Sequence, residues 1–248
     1  MGKSIIASMS GHSKWATIKR AKGAADLKRG LTFTKIGNAI TIAVKASGGI
    51  TYPSSNFRLR LAIEAARSAN MPKDNIERAI QKAVGKEAGE MQEVIYEGFA
   101  PEGISVIIEA VTDNALRTTS EIKSIFNKTG GNFGQPGSVA YQFEQKGEIV
   151  LAKQGKTLDQ VFEAAAESGA EDVQVHEEGF VVYTASADLA RISAVLKEKG
   201  FSITSASLIR KPFDPLTIND PEKKEKIYNF LQKLEELDDV QKVYSNMA

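Results

Sequence analysis

The hydrophobic period of this chain changes between residues 85 and 93, and the sign of its charge changes at the same place. Up to that point apolar side chains recur at helical spacing. Phe33, Ile36, Ile40, Ala43 and Val44 make one stripe, Leu59, Ala62, Ile63 and Ala66 a second, and Ile76, Ala79, Ile80 and Ala83 a third. Beyond it the apolar positions alternate, as in half-buried strands. A single layer of structure cannot satisfy both periods, so the chain must build a helical unit and a separate α+β unit. Residues 1–86 carry sixteen Lys or Arg against four Asp or Glu, and the remaining 162 carry sixteen against twenty-seven. The formal charge of +1 is therefore +12 followed by −11. Such asymmetry points to a polyanionic partner, because Lys and Arg placed near phosphates release condensed counterions.

Within the basic part, Gly30, Gly48-Gly49, Pro53 and Pro72 punctuate the pattern and predict several short helices that pack on one another. Ser54, Ser55 or Asn56 can cap the helix that follows Pro53, and Pro72 suits the first turn of the next one. The segment from Lys14 to Arg29 has only a thin stripe, Trp15, Ile18, Ala21 and Ala25, interrupted by Lys22. A helix there buries little and is weakly stable alone, so it reads as an arm that is mobile or ordered by its partner. Residues 9–86 are expected to form a basic helical nucleic-acid-binding domain.

After the polar connection Gly85–Glu93, strands are expected at 94–99 and 104–111, a helix at 118–128 and a strand at 138–143. A second series follows: strand 148–152, helix 158–168, strands 172–176 and 180–184, helix 187–199 and strand 202–209. That order is βαββαβ, the ferredoxin-like unit. The tail offers a helix at 221–237 and a strand at 240–244 that lack a sheet of their own. Pairing them with the elements of 94–143 gives a discontinuous α+β domain, 87–146 plus 212–248, into which 147–211 is inserted. The expected fold class is α+β with three domains: a small helical domain, then two ferredoxin-like α+β domains, one inserted in the other.

Much chemistry is excluded. The chain has no Cys, which removes disulfides, thiol catalysis and Cys-ligated zinc. It has no export signal and no apolar run of spanning length, so a cytoplasmic protein with no membrane partner is expected. With only His12 and His176 and no HExxH, no metal site is expected, and His176 beside Glu177 and Glu178 reads as solvated. Gly155-Lys156-Thr157 imitates the end of a P-loop, but Val150 stands where the first glycine belongs, and Thr157 reads as a helix cap. Gly131-Asn132-Phe133-Gly134 has the GXXG spacing of some RNA-binding loops, although a turn is the simpler reading. No paired acid and base stands out, so no catalytic residue, cofactor or small-molecule substrate is expected.

The basic arm is denser than a solvated face requires, since Asp26 is the only acid before Glu64. The residues expected to contact nucleic acid are His12, Lys14, Trp15, Lys19, Arg20, Lys22, Lys28, Arg29, Lys35, Lys45 and Arg60. Lys and Arg would neutralise phosphates, and Trp15 and Phe33 are interleaved as aromatics that fit either a core or base stacking.

Gly11-His12-Ser13-Lys14-Trp15, Asp26-Leu27-Lys28-Arg29-Gly30 and Asn70-Met71-Pro72-Lys73-Asp74-Asn75-Ile76-Glu77-Arg78 resemble signatures of the YebC family. So do Tyr96-Glu97-Gly98, Thr112-Asp113-Asn114 with Arg117-Thr118, and Gly130-Gly131-Asn132 with Gly137-Ser138-Val139. The resemblance implies a three-domain protein and a non-enzymatic role. Relatives are described as transcriptional regulators, mitochondrial ones as translational activators of cytochrome c oxidase, and bacterial ones in connection with ribosomes. It thus implies DNA or ribosomal RNA as partner, with the ribosome and its bound factors as further partners. The chain departs from the family at Ala21 and Ala115, where many relatives are basic, and at Gly23, where Ala is commoner. A different reading of the same charges is a protein-interaction adaptor whose basic domain docks on acidic surfaces.

Overall fold

The protein is described from a computed structural model that covers residues 25–85, 91–176 and 179–248. The helical part consists of α1 (Ala25–Ala46), α2 (Phe57–Ser68) and α3 (Lys73–Val84). Helix α1 runs through Gly30 without a break, contrary to the punctuation expected there. Glycine costs about 1 kcal/mol in a helix interior. The stripe that follows it, closing over Ile40, Ala43 and Val44 against Leu59, Ile63 and Ala66, supplies more than that through burial. Pro72 lies one position earlier than expected, at the N-cap of α3 with ψ 143°, because its ring blocks the preceding turn rather than occupying it.

Strands β1 (Gln92–Phe99) and β2 (Ser105–Thr112) form a hairpin, followed by α4 (Ala115–Thr129) and the short β3 (Asn132–Phe133). Then come β4 (Phe143–Ala152), α5 (Leu158–Ser168), β5 (Asp172–His176), β6 (Gly179–Ala185), α6 (Leu189–Glu198) and β7 (Ile203–Pro212). Helix α7 (Pro221–Glu235) and β8 (Val240–Ser245) end the chain. Two four-stranded sheets result, ordered β3-β1-β2-β8 and β5-β6-β4-β7, with neighbouring strands antiparallel throughout. The second has the ferredoxin-like order, and it interrupts the first in sequence. Its flanking strands zip together as far as Phe143 opposite Pro212, and Phe213 N–H donates to the Gln142 carbonyl at 3.0 Å. The two crossings are thereby fixed side by side.

The expected strand at 138–143 does not form. Residues 140–142 make a single 3-10 turn, and the first sheet takes Asn132–Phe133 as its edge strand instead. The reason is Glu97, whose carboxylate accepts the N–H groups of Gly137, Val139 and Ala140 at 2.7–2.8 Å. Those donors would otherwise have served a ladder. Glu97 is only 6 % exposed. Burial alone would raise its pKa, but the three N–H donors and the nearby Arg210 charge outweigh it and hold the carboxyl below its ordinary value.

The molecule is layered helix, sheet, sheet, helix. Helices α4 and α7 cover one face of the first sheet, where Phe126 meets Phe133 and Phe230 edge-on at 5.6 and 4.9 Å. Helices α5 and α6 cover the outer face of the second. The inner faces meet through Ile107 and Tyr244 on one side and Val181, Tyr183 and Ile209 on the other. The face that reads RNA in some ferredoxin-like modules is therefore covered here by the protein's own first sheet. Polar contacts seal the rim: Lys242 Nζ donates to the Leu208 carbonyl at 2.8 Å, and Arg210 pairs with Glu109 at 2.9 Å.

Candidate nucleic-acid interface

His12, Lys14, Trp15, Lys19, Arg20 and Lys22 lie outside the described residues. Lys28 and Arg29 fall on the first turns of α1. No carboxylate occurs between Asp26 and Glu64, and that run spans α1, the connection and the first half of α2.

Three basic residues of the module turn toward the acidic body. Lys35 Nζ donates to the Glu235 carbonyl, at the C-terminal end of α7. A cation there meets the negative end of the helix dipole. Lys45 Nζ donates to the Met91 carbonyl at 2.6 Å, and Arg58 is paired with Glu93. Apolar contacts accompany them: Ile42 is buried with Met91 and Val111, and Phe57 and Leu61, like Ile203, Ala206 and Leu208 of β7, are half-buried against the core of the second sheet. Helix α2 lies against β7, an edge strand of the second sheet, which would otherwise offer an unpaired flank. Of the expected contacts, Lys35 and Lys45 thus make hydrogen bonds to the body's backbone. Arg60 is exposed, with its guanidinium 5.1 Å from the centre of the Phe57 ring.

The connection between α1 and α2 is shaped by one buried amide. Asn56, 5 % exposed, donates to the Ala43 carbonyl at 2.9 Å, the Ser47 hydroxyl at 2.9 Å and the Ile50 carbonyl at 3.1 Å. Its Oδ1 accepts from Leu59 N–H at 3.0 Å and so caps α2. Gly48 and Gly49 take φ of 73° and 93°, which closes the end of α1 through N–H bonds to the Lys45 and Val44 carbonyls. Sequence offered Ser54, Ser55 and Asn56 as equal caps. Of the three, only Asn56 carries two N–H donors together with an acceptor, where a serine hydroxyl has a single donor, so it alone can serve the carbonyls above it while capping the N–H below.

The two phosphate-loop imitations resolve as structure. Gly131 N–H donates to the Phe126 carbonyl and Gly134 N–H to the Glu97 carbonyl, so both amides are engaged internally. A Cβ on Gly131 would come within 2.8 Å of the Phe99 carbonyl oxygen, which explains the glycine without a ligand. Thr157 caps α5 in a capping box with Gln160, and Lys156 lies over the Phe201 ring at 5.1 Å. His176, expected to be solvated, is partly buried, and burial lowers its pKa. Among the described residues no group of three or more His, Asp or Glu is placed to hold a metal ion. None of their helices is long and apolar enough to cross a membrane.

A polar knot missed in the sequence ties the hairpin to the tail. Asp239 accepts from Arg117 at 2.8 Å, Thr118 at 2.6 Å and Thr112 at 3.1 Å, while Asn114 caps α4. Burial would raise the Asp239 pKa, and the Arg117, Thr118 and Thr112 hydrogen bonds lower it below its ordinary value. Its signal was the Thr112-Asp113-Asn114 and Arg117-Thr118 signature. Asp239, more than a hundred residues away in sequence, carries no local mark of its role.

Comparison with known proteins places these features in a lineage. Residues 13–86 match the TACO1/YebC protein N-terminal domain, and residues 91–247 match the TACO1/YebC second and third domain. A protein of Treponema denticola named "Probable transcriptional regulatory protein" is 48 % identical over 240 residues, 96 % of each chain. One of the same name from Dictyoglomus turgidum is 46 % identical over 240 residues, 96 % of this chain and 95 % of its own. The crystal structure of a conserved hypothetical protein from Aquifex aeolicus superposes with a TM-score of 0.85 at 44 % identity, covering 95 % of this chain and 96 % of that one. With both parts matched along nearly the whole length, the chain belongs to the TACO1/YebC family.

Proposed function

We propose that the protein is a non-enzymatic regulator of gene expression that grips nucleic acid through its basic helical module, while the acidic body fixes the module's orientation on a larger assembly. The observation that carries this reading is the carboxylate-free stretch from residue 27 to 63, which folds as α1, a pinned connection and α2 and displays Arg60 on its surface. The name of the relatives, probable transcriptional regulatory protein, supports the same class of role. The contacts of Lys35, Lys45 and Arg58 with the body support the positioning part, since they tie the helical module to it.

The nucleic acid is promoter DNA, ribosomal RNA or both, and the activity is transcriptional regulation, ribosome-directed translational activation or both. Phosphate contacts bind either polymer and carry no base information. The phosphate contacts are assigned to Lys14, Lys19, Arg20, Lys22, Lys28, Arg29 and Arg60, with His12 and Trp15 beside them. Binding should fall steeply with salt, with a slope of about −0.9 per neutralised duplex phosphate and about −0.7 on single strands. Fluorescence anisotropy of the full chain against labelled duplex DNA and a ribosomal RNA fragment, across a salt series, measures this. Affinity that does not change with salt refutes the reading. Crosslinking in cells followed by sequencing of the bound polymer separates DNA from ribosomal RNA.

A further inference from the structure

Tyr52 lies within the carboxylate-free stretch and is 72 % exposed, far more than an aromatic ring of a small helical unit requires. An isolated exposed aromatic is unremarkable on most surfaces. The connection that carries this one is unusually constrained. Asn56 binds it from beneath through the Ser47 hydroxyl and the Ile50 carbonyl, Gly48 and Gly49 fix its entry at positive φ, and Ser55 N–H closes a turn on the Tyr52 carbonyl at 3.0 Å. Pro53, immediately after Tyr52, locks the turn's second position. Ile50, 39 % exposed, lies two residues before it, and Arg60 over Phe57 begins the helix that follows.

We propose that Tyr52 is a stacking platform for unpaired nucleobases, so that the basic module prefers single-stranded nucleic acid to duplex. The proposal rests on the polyanion reading above and names the class of substrate for it. A ring on a backbone already fixed in place loses little conformational freedom on stacking, so most of the contact energy is realised as affinity. The absence of carboxylates from residue 27 to 63 removes the repulsion that would keep a phosphate chain away from the ring. A duplex offers its bases edge-on inside the grooves, whereas a single strand can splay them face-on against an aromatic. Cations alone would not distinguish the two polymers in this way.

The test uses the full chain and two labelled probes of equal length, an oligothymidylate and a blunt duplex, with anisotropy as the readout. Tyr52→Ala should weaken oligothymidylate binding by about five- to one-hundred-fold, the range for loss of one stacked base. Duplex binding should change less than about two-fold, and the salt slope on either probe should stay the same, because tyrosine neutralises no phosphate. Tyr52→Phe should bind as the unsubstituted chain does. Equal loss on both probes, no loss on oligothymidylate, or a Tyr52→Phe variant as weak as Tyr52→Ala overturns the proposal. Failure of the unsubstituted chain to bind either probe refutes the polyanion reading itself, a different outcome from binding that ignores Tyr52.

Discussion

Replacing Glu97 by Gln removes one charge and one oxygen from the point where the first sheet meets the loop leading to β4. Oε2 accepts from Val139 and Ala140 and Oε1 from Gly137. The best orientation of the amide keeps its oxygen on Val139 and Ala140 and turns its NH2 toward the Gly137 N–H, donor against donor. One charge-assisted bond is then lost, worth about 1.5–3 kcal/mol, and two others fall to neutral strength at roughly 0.5–1 kcal/mol each. The local cost is about 2.5–5 kcal/mol, equivalent to about two to four decades in an opening equilibrium. Amide hydrogen exchange reads it residue by residue: Gly137, Val139 and Ala140 should lose protection in Glu97→Gln while Ile108 in the middle of β2 keeps its own. The effect also has a pH signature. Because the folded pKa of Glu97 is depressed, the extra stability is fully present above its ordinary unfolded value and disappears as pH falls through the folded one. The unsubstituted chain and Glu97→Gln should therefore converge in acid. Protection at the three amides that is unchanged near neutral pH, or a difference that persists undiminished in acid, would refute the assignment of the carboxylate as the loop's anchor.

Two further substitutions probe the frame around the candidate interface. Gly98→Ala would place a Cβ 2.5 Å from the Asn132 carbonyl oxygen and 2.6 Å from the Phe126 ring, so thermal unfolding should report a loss of about 1–3 kcal/mol from overpacking; an unchanged midpoint would show that β3 can move aside. Asn56→Ala removes a cap and two N–H donors shared among three acceptors at a buried site, a cost of about 2–4 kcal/mol by chemical denaturation, and it should also weaken oligothymidylate binding by loosening the turn that presents Tyr52.

Several elements were legible because their signals are local. The stripes of α1, α2 and α3, the alternation of β1 and β2 and the βαββαβ series all follow from side-chain period, and each recurs in the structure within a few residues. The cap at Thr157 and the glycine turns were legible for the same reason. The expected strand at 138–143 failed because Glu97, forty residues earlier, takes its N–H groups. The break expected at Gly30 failed because packing outweighs glycine's weak intrinsic preference.

The candidate site divides along the same line. Sequence identified the basic stretch by charge density, which needs no geometry. It could not tell that Lys35 and Lys45 point to carbonyl groups of the acidic body, because each looks like any other lysine on a helix until its neighbours are in place. Nor did it single out Tyr52, whose interest comes from exposure on a pinned turn. By itself the sequence determined the order of helices and strands, the charge division and the family signatures, all properties carried by residues near one another. Only the tertiary structure decided which cations remain outward, which glycines merely make room and which buried carboxylate holds a loop, because those outcomes depend on groups brought together across long separations, where burial makes every unmatched donor or acceptor costly.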